Sequence, residues 1–125
     1  MIKNILIVGI GGGAGSIARY LCQKWINESY QHSFPLSTFL VNLTGCFLIG
    51  FLYGMGERNS IMSHQIRLLL MTGFCGGYTT FSAFALENFN LLRAGQNWIF
   101  LLYALGSVAL GIVAVFIGTI LTKQM

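Results

Sequence analysis

Four long apolar segments alternate with short polar linkers along the 125-residue chain. The segments run from about residue 4 to 25, 34 to 56, 63 to 92 and 98 to 121. The second and fourth contain no charged side chain, and each is long enough to cross a hydrocarbon core, which takes roughly 20 helical residues. The linkers read "NESYQHS", "ERNS" and "RAGQN". This pattern predicts an all-α integral membrane protein with four transmembrane helices that form one domain over residues 1–125.

The composition agrees with a chain whose solvent is lipid. Hydrophobic residues make up 55% and charged residues 8%, whereas soluble domains carry about 25% charged residues. Seven Lys and Arg against three Glu give a net charge of +4, but the cations lie singly near the ends of apolar runs, where they anchor spans at the headgroups. We therefore expect a multi-pass protein of the cell (inner) membrane, surrounded by the lipid bilayer, that binds no nucleic acid. The three cysteines show no metal-ligand spacing.

Pairs of glycines four residues apart occur in the first two segments. The stretch "ILIVGIGGGAG" also reads as a dinucleotide-binding fingerprint, but that motif needs alternating strands and helices, which nothing downstream supplies. In membrane helices such pairs instead allow two backbones to approach closely. The pairs are Gly9 and Gly13, Gly11 and Gly15, and Gly50 and Gly54.

The cationic side chains give almost no preferred orientation in the membrane. Four spans place both termini on one side, so four cations fall on that side and three on the other. The first group is Lys3, Arg58, Arg67 and Lys123, and the second is Arg19, Lys24 and Arg93. A 4:3 split is nearly neutral under the positive-inside rule, and four spans enclose little of a pathway alone. We therefore predict an antiparallel, dual-topology homodimer.

The third segment is interrupted by "TGFCGGYTTFSAF", residues 72–84. Ser63 is a candidate N-cap of this span, and Gly76-Gly77 predicts a break because paired glycines disfavour a helix interior by about 1 kcal/mol each. Irregular backbone inside a membrane lies buried in protein or lines a polar cavity, and its carbonyls commonly face cations. A kink that only helps packing is the alternative. The neighbouring hydroxyls of Thr79, Thr80 and Ser82 favour a site.

Three further positions predict an anion pathway. Phe81 and Phe84 share a helix face at spacing i, i+3, and the electropositive edge of an aromatic ring can face an anion. In isolation, such a pair is more often lipid-facing or core. Asn42 is the amide within the second span, with Thr38 one turn before it. Its N–H groups can donate to an anion, although an interhelical contact is the alternative.

The motifs "GGYTTFSAF", "VNLTG" and "GGGAGSIARY" together resemble the Fluc fluoride channels, also called the CrcB family, over the whole chain. The resemblance implies an antiparallel dimer that exports fluoride passively through two pores. It assigns Phe81 and Phe84 to ring edges that face the ion and Asn42 to a hydrogen-bond donor in the pore. It also implies a structural sodium ion on the dimer axis, held by the backbone carbonyls of Gly76 and Thr79 from both subunits.

The same resemblance extends to the ends of the pathway. Tyr103 and Ser107 match the upper part of a polar track on the fourth span, and Glu87 matches a position near a pore mouth. Thr38 on the second span and Ser82 on the third are further candidates for fluoride binding in the pore. Arg19 matches the arginine after the glycine-rich first helix, without an assigned role. The chain departs from the family pattern at Ala83, Gly111 and Val115, where hydroxyl residues are usual, which puts the lower track in doubt.

Two other classes of function remain open from the sequence. A small dual-topology exporter of multidrug or guanidinium type would need a membrane-embedded carboxylate to couple protons to its substrate, and Glu87 is the one candidate. A non-conducting accessory subunit would use only the small-residue faces, and the polar break would then have no purpose. No nucleophile with a base, paired carboxylates or ligand cluster points to an enzyme.

Overall fold

The computed structural model describes residues 1–58 and 62–124, and this part of the chain is helical with short connections. Helix α1 spans Ile2–Ser29 and α2 spans Leu36–Arg58, and the last helix, α6, spans Asn97–Thr122. The third span, His64–Arg93, is made of several pieces. All four spans are long and apolar enough to cross a membrane, so the predicted architecture is confirmed.

The third span changes its helical geometry twice. It begins as α3 (His64–Arg67), continues as a π-helix (Leu68–Cys75) and ends its first half as α4 (Gly76–Tyr78). Two extended residues follow, and α5 (Phe81–Arg93) completes the span. Ser63 is the N-cap, as predicted: its side chain accepts a hydrogen bond from the Ile66 N–H at 3.2 Å.

The break in this span is real, but it lies two to three residues beyond the glycines that predicted it. Gly76 and Gly77 are helical, whereas Thr79 (ψ 158°) and Thr80 (ψ 116°) are extended. β-Branched threonines prefer extended backbone, and each finds a side-chain hydrogen bond there. The Thr79 hydroxyl donates to the Cys75 carbonyl at 2.9 Å, so the unwound residues need little help from glycine.

Glycines bring α1 against the first half of the third span. A Cβ at Gly11 would overlap the Leu69 carbonyl oxygen, and one at Gly15 would overlap that of Phe74. Gly77 meets the backbone of α1 at Gly12 in the same way, which gives this glycine a packing role instead of a helix-breaking one. The prediction of close approach is therefore confirmed for Gly11 and Gly15. By contrast, Gly9 and Gly13 have no atom within 4 Å of an added Cβ.

A second close contact joins α2 to α6. Gly50 and Gly54 meet the α6 backbone and the Thr122 side chain, while Gly118 of α6 meets the α2 backbone at Phe47. The Thr119 hydroxyl donates to the Gly50 carbonyl at 3.2 Å. The predicted role of the Gly50 and Gly54 pair is confirmed, and the bundle consists of two tightly packed pairs of spans.

Large apolar side chains cover the outside of the bundle. The buried hydrophobic core of the described residues is small, with Val41, Leu52, Leu91 and Tyr103 as its larger members. Most leucines, isoleucines and phenylalanines of α1, α5 and α6 face outward instead. Such a surface suits a lipid solvent, as expected of a multi-pass membrane protein.

Candidate ion pathway

The Asn42 side chain of α2 forms hydrogen bonds to the backbone at the break of the third span. Its Nδ2 donates to the Thr80 carbonyl at 3.1 Å, and its Oδ1 accepts from the Thr80 N–H at 2.8 Å. The side-chain amide thereby replaces the backbone partners that Thr80 would have in a continuous helix. An amide has two N–H groups, so one remains for another acceptor.

The break also releases backbone carbonyls on the inner side of the span. In a continuous α-helix the Gly76 carbonyl would accept from the Thr80 N–H, which donates instead to Asn42. The Thr79 carbonyl would accept from the Ala83 N–H, which donates instead to the Thr80 hydroxyl at 3.2 Å. Carbonyls without their helical partners are suitable ligands for a hard cation.

Arg19 of α1 binds the third carbonyl that the break releases. Its Nε donates to the Gly77 carbonyl at 3.1 Å, and the Ser16 hydroxyl donates to the same oxygen at 3.4 Å. A cation is favourable at the carboxyl end of a helix, which here is the end of α4. Arg19 therefore has a role that the sequence did not assign: it stabilises the first half of the third span.

An open cavity of about 440 Å³ lies beside the break, between α2, α6 and the third span. Its lining includes the side chains of Asn42, Ser107, Phe81 and Phe84. Gly76, Thr79 and Thr80 of the third span also line it. The Ser107 hydroxyl is buried and has no hydrogen-bond partner within the described residues. The cavity thus brings an amide donor, an unpartnered hydroxyl and two aromatic rings to one space that no formal charge lines.

The two phenylalanines of α5 lie in different surroundings. Their ring centroids are 5.9 Å apart, with an interplanar angle of 43°. Phe84 also contacts the Tyr103 ring of α6, at 5.0 Å between centroids. Phe81 is 79% exposed in the single chain although it lines the cavity. Such exposure leaves one face of the cavity without a wall.

Glu87 is tied to two hydroxyl groups on neighbouring spans. Thr38 donates to its Oε2 at 2.6 Å, and Tyr103 donates to its Oε1 at 2.7 Å. The Gln23 Nε2 of α1 donates in turn to the Thr38 hydroxyl oxygen at 3.0 Å. This group, the Glu87 network, contains one residue from each of the four spans: Gln23, Thr38, Glu87 and Tyr103.

The predicted site residues fall into three groups in the structure. Asn42, Phe81, Phe84, Ser107, Gly76 and Thr79 line the cavity. Thr38 and Tyr103 lie outside the cavity lining, in the Glu87 network. Ser82 is exposed on α5 and belongs to neither group.

Two of the three departures from the family pattern lie on α6, at its contact with α2. A Cβ at Gly111 would lie 3.4 Å from the Cys46 sulfur, and the Val115 carbonyl faces Gly50. The Thr119 hydroxyl also donates to this Val115 carbonyl at 2.9 Å.

Sequence reasoning missed the contributions of Gln23 and Thr80. Gln23 lies one turn after Arg19 on α1, and this spacing on one helix face is the signal that could have identified it. Thr80 occupies the position of a helix N-cap, and its side chain accepts from the N–H three residues later.

Comparison with known proteins matches the chain to one family and to curated relatives over almost its whole length. The family described as "CrcB-like protein, Camphor Resistance (CrcB)" matches residues 6–119. A relative from Azobacteroides pseudotrichonymphae is 46% identical over 123 residues, covering 98% of both chains. One from Flavobacterium psychrophilum is 44% identical over 99% of this chain and 100% of its own. One from Chlorobaculum tepidum is 47% identical over 98% and 97%. Each relative is named "Fluoride-specific ion channel FluC".

Proposed function

The chain belongs to the CrcB family, and we propose that it is a fluoride-selective channel of the cell inner membrane that exports fluoride passively. Full-length similarity to relatives named fluoride-specific channels supports the assignment. The observation that carries it in this chain is the cavity beside the break. There the Asn42 amide, the unpartnered Ser107 hydroxyl and the rings of Phe81 and Phe84 converge. The protein is a channel and not an enzyme.

The cavity suits an anion because the side chains of Asn42 and Ser107 that line it can each donate a hydrogen bond. Asn42 keeps one N–H after binding Thr80, and the Ser107 hydroxyl has its proton available. The ring edges of Phe81 and Phe84 add weak positive potential without a formal charge. These groups replace part of the hydration shell that fluoride loses on entering.

The absence of formal charge from the cavity lining favours conduction over tight binding. A pore site must bind well enough to admit an ion and weakly enough to release it. The lining residues that the structure describes include neither Lys nor Arg. Hydroxyl, amide and ring-edge donors in series therefore give fluoride several shallow sites along the way.

We propose that the channel is an antiparallel homodimer with two pores. The open face of the cavity and the 79% exposure of Phe81 support a second wall supplied by another copy. The 4:3 split of cations supports insertion in both orientations. Single-cysteine labelling at the termini, in a variant without native cysteines, should reach about half of the copies from each side. Labelling from one side alone would reject dual topology.

We further propose that a structural sodium ion binds at the break. The carbonyls of Gly76 and Thr79 lack their helical partners, whereas Arg19 and Ser16 bind that of Gly77. The oxygens present in this chain therefore fit a hard cation. Two carbonyls are few ligands for such an ion, and two copies would supply four. The ion would fix the break without taking part in fluoride transfer.

The alternative of a proton-coupled exporter has no support in the geometry. Its carboxylate would be Glu87, but both oxygens of Glu87 accept hydrogen bonds from Thr38 and Tyr103. That arrangement leaves little of the carboxylate for a cationic substrate. No specific contact favours an accessory subunit either.

Fluoride efflux from liposomes containing the purified protein tests the assignment. A fluoride electrode follows release after a potassium ionophore relieves the electrical gradient, and chloride efflux is measured in parallel. We expect rapid fluoride release and no chloride release above that of protein-free liposomes. Failure of well-folded protein to release fluoride, or equal release of chloride, would overturn the proposal.

A further inference from the structure

The Glu87 carboxylate is an anion bound to two hydroxyl donors of the proposed fluoride pathway. Thr38 and Tyr103 each direct one proton at it, at 2.6 and 2.7 Å. A hydroxyl has a single proton, so neither group can donate to fluoride while Glu87 remains in place. Glu87 occupies the position that an ion would need.

The two donors are more firmly held than the carboxylate that they bind. Thr38 and Tyr103 are both 0% exposed. The Tyr103 ring is packed between Phe34 and Phe84, with centroids 5.4 and 5.0 Å away. Glu87 is only half-buried on α5. A change in the network therefore requires movement of Glu87, while the hydroxyls stay where they are.

Gln23 sets the direction in which Thr38 donates. Its Nε2 donates to the Thr38 oxygen at 3.0 Å, which occupies a lone pair and turns the hydroxyl proton away, towards Glu87. A threonine hydroxyl can instead donate to the backbone carbonyl three or four residues earlier in the chain. Gln23 keeps this donor available to an anion.

The network continues the line of donors that starts in the cavity. Thr38 lies one turn from Asn42 on α2, and Tyr103 lies one turn from Ser107 on α6. One turn of helix is about 5.4 Å. Phe84 belongs to both places, because it lines the cavity and contacts the Tyr103 ring. An ion that leaves the cavity past Phe84 meets these two hydroxyls next.

We propose that Glu87 is a tethered competitor of fluoride: its carboxylate and the ion bind by turns to the hydroxyls of Thr38 and Tyr103, and Gln23 positions the Thr38 donor. The inference rests on the proposed channel function and adds how fluoride leaves the site formed by the Thr38 and Tyr103 hydroxyls. The carboxylate replaces the departing ion, so the donors are never left unpartnered, and fluoride is not trapped there.

The test measures the fluoride concentration that gives half-maximal flux in liposomes. Glu87→Gln removes the charge and keeps an acceptor of similar size. Charge-assisted hydrogen bonds are about twice as strong as neutral ones, so we expect half-saturation at about tenfold lower fluoride. The shift should vanish when Thr38→Val and Tyr103→Phe are also present, because fluoride then has no donors for which to compete. Glu57→Gln, an exposed acid outside the network, is the matched control.

Gln23→Leu tests the positioning role. In a Glu87→Gln background, where no carboxylate competes for the donor, it should raise the half-saturating fluoride concentration severalfold, and it should have no effect when Thr38→Val is also present. A role for Gln23 in stability alone would lower the amount of folded protein in both backgrounds and leave half-saturation unchanged in both.

The wild-type protein provides a readout that needs no variant to fold. With ¹³C-labelled glutamate, fluoride titration should shift the Glu87 carboxyl resonance and leave those of Glu28 and Glu57 unmoved, and chloride should have no effect. A Glu87 signal that fluoride does not move would overturn the inference, as would a Glu87→Gln half-saturation within twofold of wild type. Wild-type liposomes that release no fluoride would instead refute the channel function itself.

Discussion

Replacing Asn42 with alanine should destabilise the extended backbone at the break of the third span. Asn42 makes two hydrogen bonds to the Thr80 backbone, at 3.1 and 2.8 Å. The variant leaves the Thr80 N–H and carbonyl without these partners. A buried polar group left unpaired costs about 1–3 kcal/mol. Thr80 also lines the open cavity, where water can replace one partner, so we expect a loss of about 2–4 kcal/mol in the free energy of unfolding.

The assay combines unfolding in mixed micelles with amide hydrogen exchange. A loss of about 2 kcal/mol at the break would raise the exchange rate of the Thr80 amide roughly 30-fold, since 1.4 kcal/mol corresponds to a factor of ten. Fluoride flux should fall as well, because the variant lacks an amide donor in the cavity. Thr44→Val on the same helix is the control. The Thr44 hydroxyl binds carbonyls of its own helix at 2.8 and 3.1 Å and, in an exposed hydrogen bond, the Tyr78 hydroxyl at 2.9 Å, so we expect a loss of at most about 1 kcal/mol and no change in Thr80 exchange.

A second variant separates the support of the break from the role in conduction. Asn42→Asp keeps an acceptor for the Thr80 N–H but loses the donor to its carbonyl and adds a negative charge to an anion pathway. Exchange at Thr80 should therefore rise less than in the alanine variant, whereas fluoride flux should fall at least as far. The reasoning is refuted if Asn42→Ala matches Thr44→Val both in unfolding free energy and in Thr80 exchange.

Four further predictions concern the phenylalanines, the glycines, Arg19 and sodium. Phe81→Ile and Phe84→Ile should each abolish or sharply reduce fluoride flux while size-exclusion chromatography shows an intact assembly; unchanged flux in both would remove them from the pore. Gly15→Ala should destabilise the protein by about 1–3 kcal/mol through overpacking against the Phe74 carbonyl, and Gly13→Ala, with no atom within 4 Å, should not; equal thermal stability of the two variants would contradict the packing. Arg19→Met should cost about 1–3 kcal/mol because it leaves the Gly77 carbonyl without its charged donor, and Arg19→Lys should recover part of this loss; an unfolding free energy unchanged in Arg19→Met would exclude the role. Exchange of sodium for N-methylglucamine should weaken assembly or flux, and equal behaviour in both solutions would count against a bound ion.

The four spans could be predicted because their signal is local. Each is a long apolar run, and length and hydropathy alone identify a membrane helix. The pairing of spans is a different matter. A pair such as Gly50 and Gly54 predicts that some helix approaches closely, but the motif does not name its partner. In the structure that partner is α6, and Gly11 and Gly15 contact the third span instead.

The position of the break shows how two local signals can conflict. Gly-Gly has a low helix propensity, so the sequence placed the break at Gly76 and Gly77. Both glycines are nevertheless helical. The small size of Gly77 is used at the contact with α1, where it meets Gly12, whereas Gly76 makes no such contact. The break falls instead where threonine side chains and Asn42 can replace the lost backbone partners. That choice depends on a residue 38 positions away, which no window of sequence contains.

Two half-buried charged residues, Arg19 and Glu87, lie close to the proposed pathway without lining the cavity. Arg19 and Glu87 were visible in the sequence, but their roles follow from contacts 58 and 49 residues away. Arg19 directs its Nε at the Gly77 carbonyl, which lies outside the cavity lining. Glu87 accepts from neutral hydroxyls and gives them an anion to bind when fluoride is elsewhere. The cavity itself keeps donors without formal charge, such as Ser107, so fluoride can enter it and also leave.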